Sequence, residues 1–412
     1  MLFSGAKTFD FSQDPQLSKW KKTDFVIACL IWMTQSFFAM PLHLVVPICL
    51  TVFFILAVQK RITVKPQFWW FVAIFLLSAV NMVIGMSCFG VFPESKVYYI
   101  PRLLFFPMIF LIGCSISART VKYFICLMFI EYCIALLQRF NLFPVFAVIE
   151  ANVDADQLYS QRTPGFSYGY GALGFRWYFI VLFFFWFYEK YKGLIVPKWL
   201  FFIGISVGLV VSFNRTAFVA LPVFFLFYFL RWERVKRCLK PLPVILLILG
   251  VTALVMLLPT IFTFIEEELL RDAVDLNSAS SGRLDIYEAA WEYIKENPIF
   301  GTFSNRYHDL SARGVDQAHN SFLQCMADHG IPIFLLVFGV YASLVNRANF
   351  PYIMSIAAFS MLNFLVFWGC SDYDIWVFFM LTQMSSTPEN RVSSVSGEKA
   401  PEQIDFAERS NG

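Results

Sequence analysis

The sequence predicts an all-α, polytopic membrane protein. Three observations carry this. Of 412 residues, 58% are hydrophobic and only 15% are charged, against about 25% charged in soluble domains. Apolar runs near the length of one bilayer crossing, roughly 20 residues, recur along the chain. Lys and Arg collect in alternate connections between those runs, which is the bias that orients membrane spans. A formal net charge of +3 gives no electrostatic case for nucleic acid as a partner. Membrane lipids are the expected surroundings.

Residues 1–23 include Lys19, Lys21 and Lys22 ahead of the first apolar run. No small-residue cleavage pattern follows, so that run reads as a retained anchor and not a removed signal. About twelve spans are expected: 24–40, 42–58, 67–88, 99–117, 121–138, 173–188, 199–213, 216–230, 242–264, 331–346, 350–369 and 373–386. With the N-terminus in the cytoplasm, 21 of the 32 basic residues fall on the cytoplasmic side, and the segments 139–172 and 265–330 fall outside. The chain therefore divides into a cytoplasmic N-terminus (1–23), a membrane domain of nine spans (24–264) interrupted by an outer loop at 139–172, a large periplasmic loop (265–330), three further spans (331–386) and a tail (387–412). The tail is polar and rich in Ser, Glu and Pro, and is expected to be disordered and cytoplasmic. No tandem repeat is evident. Most of the nine cysteines lie inside spans without any CxxC pair, so they read as small hydrophobes and imply neither a disulfide framework nor a metal site.

The segment 266–330 is the long polar stretch of an otherwise apolar chain. Residues 284–297 read as an amphipathic helix, with Ile286, Ala290, Trp291 and Ile294 on one face. Asn297-Pro298 ends it. Arg283 would then sit at a helix N-terminus, where free backbone N–H groups and a guanidinium make a local anion site. A second short helix is expected after His319, with Asn320 as its N-cap and Gly330 as its stop before Pro332 opens the next span. Asn320 reads equally as that cap or as a site residue. In the other outer loop, the stretch Arg162-Thr163-Pro164-Gly165-Phe166-Ser167-Tyr168-Gly169-Tyr170-Gly171 interleaves aromatics with glycines. It fits either an interfacial loop in the aromatic belt or a surface on which Tyr168 meets sugars or headgroups.

Residues 199–230 form a nearly apolar run interrupted by Ser212, Asn214 and Arg215. One helix of that length would reach about 48 Å, well beyond a hydrocarbon core of roughly 30 Å. Two spans joined by a hairpin at Asn214-Arg215 are expected. An arginine at such a turn either snorkels or faces a cavity or an anion. Glu131, Asn81 and Gln138 lie within spans, where they serve either proton or cation handling or internal packing.

Together these features resemble the O-antigen ligase and O-antigen polymerase family of bacterial cell envelopes. Ser212-Phe213-Asn214-Arg215-Thr216-Ala217 is similar to the family's Ser/Arg motif at the outer end of a span. Ser281-Gly282-Arg283, with Trp291, Pro298 and Gly301, is similar to the start of its large outer loop. His319-Asn320 followed by nine residues and Gly330 is similar to the ligase-type histidine motif. The family often has a small or polar residue three positions after that glycine, where this chain has Ile333.

The resemblance implies a membrane-embedded inverting glycosyltransferase with no cofactor and no metal. Its donor would be a glycan on undecaprenyl pyrophosphate, and its acceptor a sugar hydroxyl of lipid A-core. Displacing pyrophosphate requires cations that stabilise charge on the leaving group, and Arg215, Arg283 and Arg162 can supply them. Histidine titrates near neutral pH, so His319 is the candidate base or orienting acceptor for the hydroxyl. Asn214, Asn320 and Tyr168 are supporting residues, and Asp328 is a reserve base. His308, His319 and His329 lack metal-ligand spacing, no GxSxG accompanies a triad, and no P-loop is present. A polymerase of the same family, joining one lipid-linked repeat to another, is the nearest alternative. A transporter is a third reading, although the paired internal halves usual in transporters are not evident.

Overall fold

A computed structural model describes residues 7–10, 21–37, 39, 44–91, 105–145, 163–168, 170–212, 214–230, 283–305, 307, 318–363, 365–366 and 372–383. The expected span at 242–264, Arg162, Arg306, His308, Arg313 and the tail from 387 lie outside the described residues. The fold is all-helical: α1 (Lys21–Met33), α2 (Val45–Val58), α3 (Gln67–Phe89), α4 (Phe106–Ser115), α5 (Ala118–Arg139), α6 (Tyr170–Tyr191), α7 (Lys198–Ser212), α8 (Arg215–Phe229), α9 (Arg283–Glu296), α10 (Ser321–His329), α11 (Ile331–Leu344), α12 (Phe350–Leu362) and α13 (Asp372–Gln383).

Among the described residues three helices, in α3, α5 and α6, are long and apolar enough to cross a membrane; α2, α4, α7, α8, α11 and α12 carry shorter apolar helices. The 23 residues of α3 reach about 34 Å at 1.5 Å per residue. Its end is set by Gly90, which takes the left-handed conformation (φ 66°) and donates its N–H to Gly85 O, as a helix-terminating glycine does. At the start of α5, the Ser117 hydroxyl accepts from Thr120 N at 3.2 Å.

Burial sorts the helices. Every residue from 176 to 187 in α6 is buried, and α13 is buried from Asp372 to Thr382. Helices apolar on all faces and buried on all faces belong at a bundle's centre. Aromatic contacts join these two, with Trp186 and Phe379 centroids 4.7 Å apart and Phe183 and Trp376 5.1 Å apart. By contrast α3 leaves Trp69, Trp70, Leu76, Val80 and Phe89 more than half exposed. Apolar exposure on that scale marks a surface meant for a non-aqueous neighbour.

Polar ties fix the two ends of the bundle. At one end, Arg61 pairs with Asp24 at 2.7 Å, Ser117 donates to Asp24 at 2.8 Å, and Lys65 donates to Thr382 O at 2.7 Å. The other end carries Met33 of α1, Arg139 of α5, Tyr170 of α6 and Asp372 of α13. The polar helices α9 and α10 sit at this second end. Asn81 of α3 donates to Phe300 O and Ser304 Oγ, both at 3.0 Å, and so anchors the connection between them.

Candidate functional site

The expected break in the apolar run is present. Helix α7 stops at Ser212 and α8 starts at Arg215. Between them Asn214 takes an extended conformation and its side chain accepts from Ala217 N at 3.1 Å. Asn214 is therefore a helix cap, and Arg215 is the first residue of α8. The expected hairpin is corrected in one respect: the two helices diverge. Helix α7 packs chiefly on α5 and α6, and α8 packs chiefly on α12. A capped, extended Asn214 allows the chain to change direction without the close pairing that a tight hairpin imposes.

Helices α8 and α12 run antiparallel. Phe227 meets Phe350 at 5.2 Å, Phe224 meets Tyr352 at 5.0 Å, and Ser355 donates to Ala220 O at 2.7 Å. This register lays the start of α8, at Arg215, beside the end of α12, at Leu362. That same end receives the polar helices. Arg283 donates through Nη1 to Leu362 O. The Tyr287 hydroxyl lies 3.0 Å from Met361 O and 3.3 Å from His319 O. Burial pushes the Tyr287 phenol above its ordinary range, partly opposed by Arg283, which keeps it a neutral donor at physiological pH.

His319 occupies the left-handed region (φ 46°), and its side chain is half-buried. A non-glycine residue there costs energy and is held only when its surroundings over-determine it. They do so here. One residue on, Asn320 accepts from Phe322 N at 2.9 Å and Leu323 N at 3.1 Å, which makes it the N-cap of α10. Ser321 is wholly buried; its hydroxyl donates to Asn363 O at 3.3 Å and accepts from Leu365 N at 3.0 Å. The histidine is thus clamped between a helix cap and the chain leaving α12. Arg283, His319 and the N-terminus of α8 converge on the end of α12. A guanidinium with five N–H donors, of which one goes to Leu362, an imidazole and a helix N-terminus together can receive an anion and an adjacent hydroxyl.

The Asn297-Pro298-Ile299-Phe300-Gly301 stretch and Gly330 form a second feature of this end, a backbone clasp. Ile331 N donates to Pro298 O, Thr302 N to Ala327 O and Ser304 N to Asp328 O, each at 2.8 Å. Gly301 and Gly330 both have positive φ, 56° and 81°, where the two segments of the clasp touch. A Cβ on Gly301 would collide with Ala327 O, and one on Gly330 with the Ile299 carbonyl. These motif glycines serve close backbone approach.

Two expectations change. Trp291 is exposed by 47% and lies off the buried face of α9, which is Ile286, Ala290 and Ile294; a step of 100° per residue carries position 291 away from the 286–290–294 stripe. Asp328 is not placed as a base: its Oδ1 accepts from Tyr307 N at 2.6 Å and Gln324 Nε2 at 2.7 Å, inside the loop's own packing. Glu131 and Gln138 grip the loop 163–168, and Asn81 grips the clasp, so all three resolve to internal ties. Tyr168 is half-buried, and its N–H donates to Gln35 O at 2.7 Å.

One group went unread in the sequence. Arg176, inside the central helix α6, is 1% exposed. It donates to Asp372 at 2.9 Å, lies 3.6 Å from Glu131 and donates to Trp32 O. An arginine six residues into an apolar span, with Asp372 opening another, is the available signal, because ionisable groups in apolar spans need partners. Removing one partner of such a buried pair costs about 3–5 kcal/mol.

No curated protein matches the chain. Residues 199–338, which run from α7 through most of α11 and include Arg215, Arg283, His319 and Gly330, match the family model described as O-antigen ligase.

Proposed function

We propose that the chain is an O-antigen ligase: a metal-independent, inverting membrane glycosyltransferase. It moves a glycan from undecaprenyl pyrophosphate to a sugar hydroxyl of lipid A-core at the periplasmic face of the bacterial inner membrane. In this reading the chain crosses the membrane twelve times. The end that holds α9 and α10 faces the periplasm, and the end rich in Lys and Arg faces the cytoplasm, as the positive-inside bias requires.

The observation that carries the proposal is the convergence of Arg283, His319 and the start of α8 on the end of α12. His319 accepts the proton of the acceptor hydroxyl as that oxygen attacks the anomeric carbon from the face opposite the leaving group. The bond to the pyrophosphate oxygen breaks, and the released charge is met by Arg283, Arg215 and Arg162. The family match over residues 199–338 supports a ligase or polymerase, and the histidine motif favours the ligase. The test is a deletion strain whose lipopolysaccharide is resolved on a gel. Polymer absent from lipid A-core but retained on the lipid carrier is the expected result. A core capped by a single repeat identifies a polymerase instead. Arg215→Ala, Arg283→Ala and His319→Ala should each fail to restore transfer while still inserting; full restoration by all three overturns the site.

A further inference from the structure

We infer that Glu131 is a positioning residue for the transfer reaction, holding the loop 163–168 against the break between α7 and α8; this rests on the ligase reading above. Glu131 is 1% exposed, and its two oxygens have different partners. Oε1 accepts from Ser167 Oγ at 2.8 Å and Phe166 N at 3.2 Å. Oε2 accepts from Trp32 Nε1 at 2.6 Å and lies 3.6 Å from Arg176 Nη1. One oxygen holds the loop and the other holds the bundle, where Arg176 is in turn fixed by Asp372 at 2.9 Å.

The loop is shaped for this grip. Gly165 has φ 62°, and a Cβ there would come within 2.8 Å of Glu131 Cγ. Gln138 accepts from Gly165 N at 2.9 Å and donates to Gly165 O at 3.0 Å. Thr163 donates through its hydroxyl to Ala135 O at 2.7 Å. The consequence lies at the loop's leading edge. Thr163 N donates to Val211 O at 3.1 Å, in the last turn of α7. Gly174, just past the loop, lies so close to Asn214 that a Cβ would sit 2.7 Å from Asn214 Cβ. The chain entering at Thr163 is therefore pinned beside the turn that launches Arg215.

Only a carboxylate satisfies this position. All four neighbours of Glu131 are donors: a hydroxyl, a backbone N–H, an indole N–H and a guanidinium. A glutamine would turn its NH2 towards donors on one side or the other, leaving a buried clash of like groups. Glu131→Gln therefore loosens the loop while changing neither length nor volume.

The experiment measures two things on purified, lipid-embedded protein. Hydrogen exchange of the 163–168 peptide should rise at least about 10-fold in Glu131→Gln. In a transfer assay the KM for the lipid-linked donor should rise by about 10-fold, with the KM for lipid A-core unchanged and kcat within about 3-fold of wild type. Ser167→Ala removes one loop-side donor and should give a smaller shift of the same kind, which keeps the test open if Glu131→Gln fails to fold. Unchanged exchange in both variants overturns the positioning role whatever the activity. Faster exchange with an unmoved donor KM overturns the link to the donor. A wild-type protein without transferase activity overturns the ligase reading itself, and the positioning role with it.

Discussion

Gly330→Ala tests whether the clasp holds His319 in place. Gly330 has φ 81° and ψ 163°, a region essentially restricted to glycine, and a side chain there costs about 1–3 kcal/mol. The new Cβ would also lie 2.5 Å from Ile299 C and 3.0 Å from Phe300 N. Both are backbone atoms, so no rotamer change relieves the overlap and the 298–301 turn must move. The 2.8 Å bond from Ile331 N to Pro298 O goes with it, at about 0.5–1.5 kcal/mol. The combined cost, about 2–4 kcal/mol, corresponds to roughly 30- to 1,000-fold more frequent opening. Hydrogen exchange at Thr302, Ser304 and Ile331 should report it, together with loss of transfer as α10 shifts under His319. Gly339→Ala is the internal control, because a Cβ on Gly339 meets nothing within 4 Å. Equal exchange and equal activity in Gly330→Ala and Gly339→Ala would refute the clasp.

Asn320→Ala should destabilise α10 by about 1 kcal/mol through loss of its cap, whereas Asn320→Asp keeps the acceptor; urea or thermal midpoints in lipid distinguish the two, and equal midpoints would show that the cap is idle. Arg283→Lys should lower transfer by about 100-fold, because one ammonium cannot both hold Leu362 O and present a planar fork to a phosphate; near-normal turnover would remove Arg283 from the site. Asp328→Asn should retain transfer within a few-fold, since an amide oxygen can still accept from Tyr307 N; loss of activity with intact folding would restore Asp328 as a base.

How much of this was legible depended on whether the signal was local. Asn320 as a cap, the stop at Gly330 and the break at Asn214 follow from short-range rules of helix ends, and the structure places them where those rules do. The face of α9 was nearly right, because periodicity gives a stripe but not its edges, and Trp291 fell outside. The purpose of Gly330 was invisible: its neighbour is the Ile299 carbonyl, 31 positions away, and nothing in a one-dimensional pattern pairs them. Arg176 was readable in kind, as a charge in an apolar span, yet its partners Glu131 and Asp372 come from two other helices. Sequence reading found residues whose role is set within one turn of helix and missed those whose role is set by which helices meet.

That distinction leads to a prediction about the polar loop alone. The segment 283–330 looks self-contained in sequence, with two helices and a clasp. Among the described residues its own buried cluster, however, is Ala290, Ile294, Tyr307, Ala318 and Ala327, of which three are alanines. Chains much below about 70 residues with so small a core do not reach stability without a staple, and the nine cysteines offer none here, since Cys325 is free in this loop. The loop instead borrows its order from the membrane helices: Asn81 holds Phe300 and Ser304, Leu362 O holds Arg283, and Asn363 and Leu365 hold Ser321. An excised 283–330 peptide should therefore lack a cooperative thermal transition by circular dichroism and show unprotected amides at Thr302 and Ile331. A cooperative melt would make the loop an autonomous domain laid on the membrane. Its absence means that His319 has a defined position only while the end of α12 holds it, so that the reactive geometry belongs to the junction of loop and bundle.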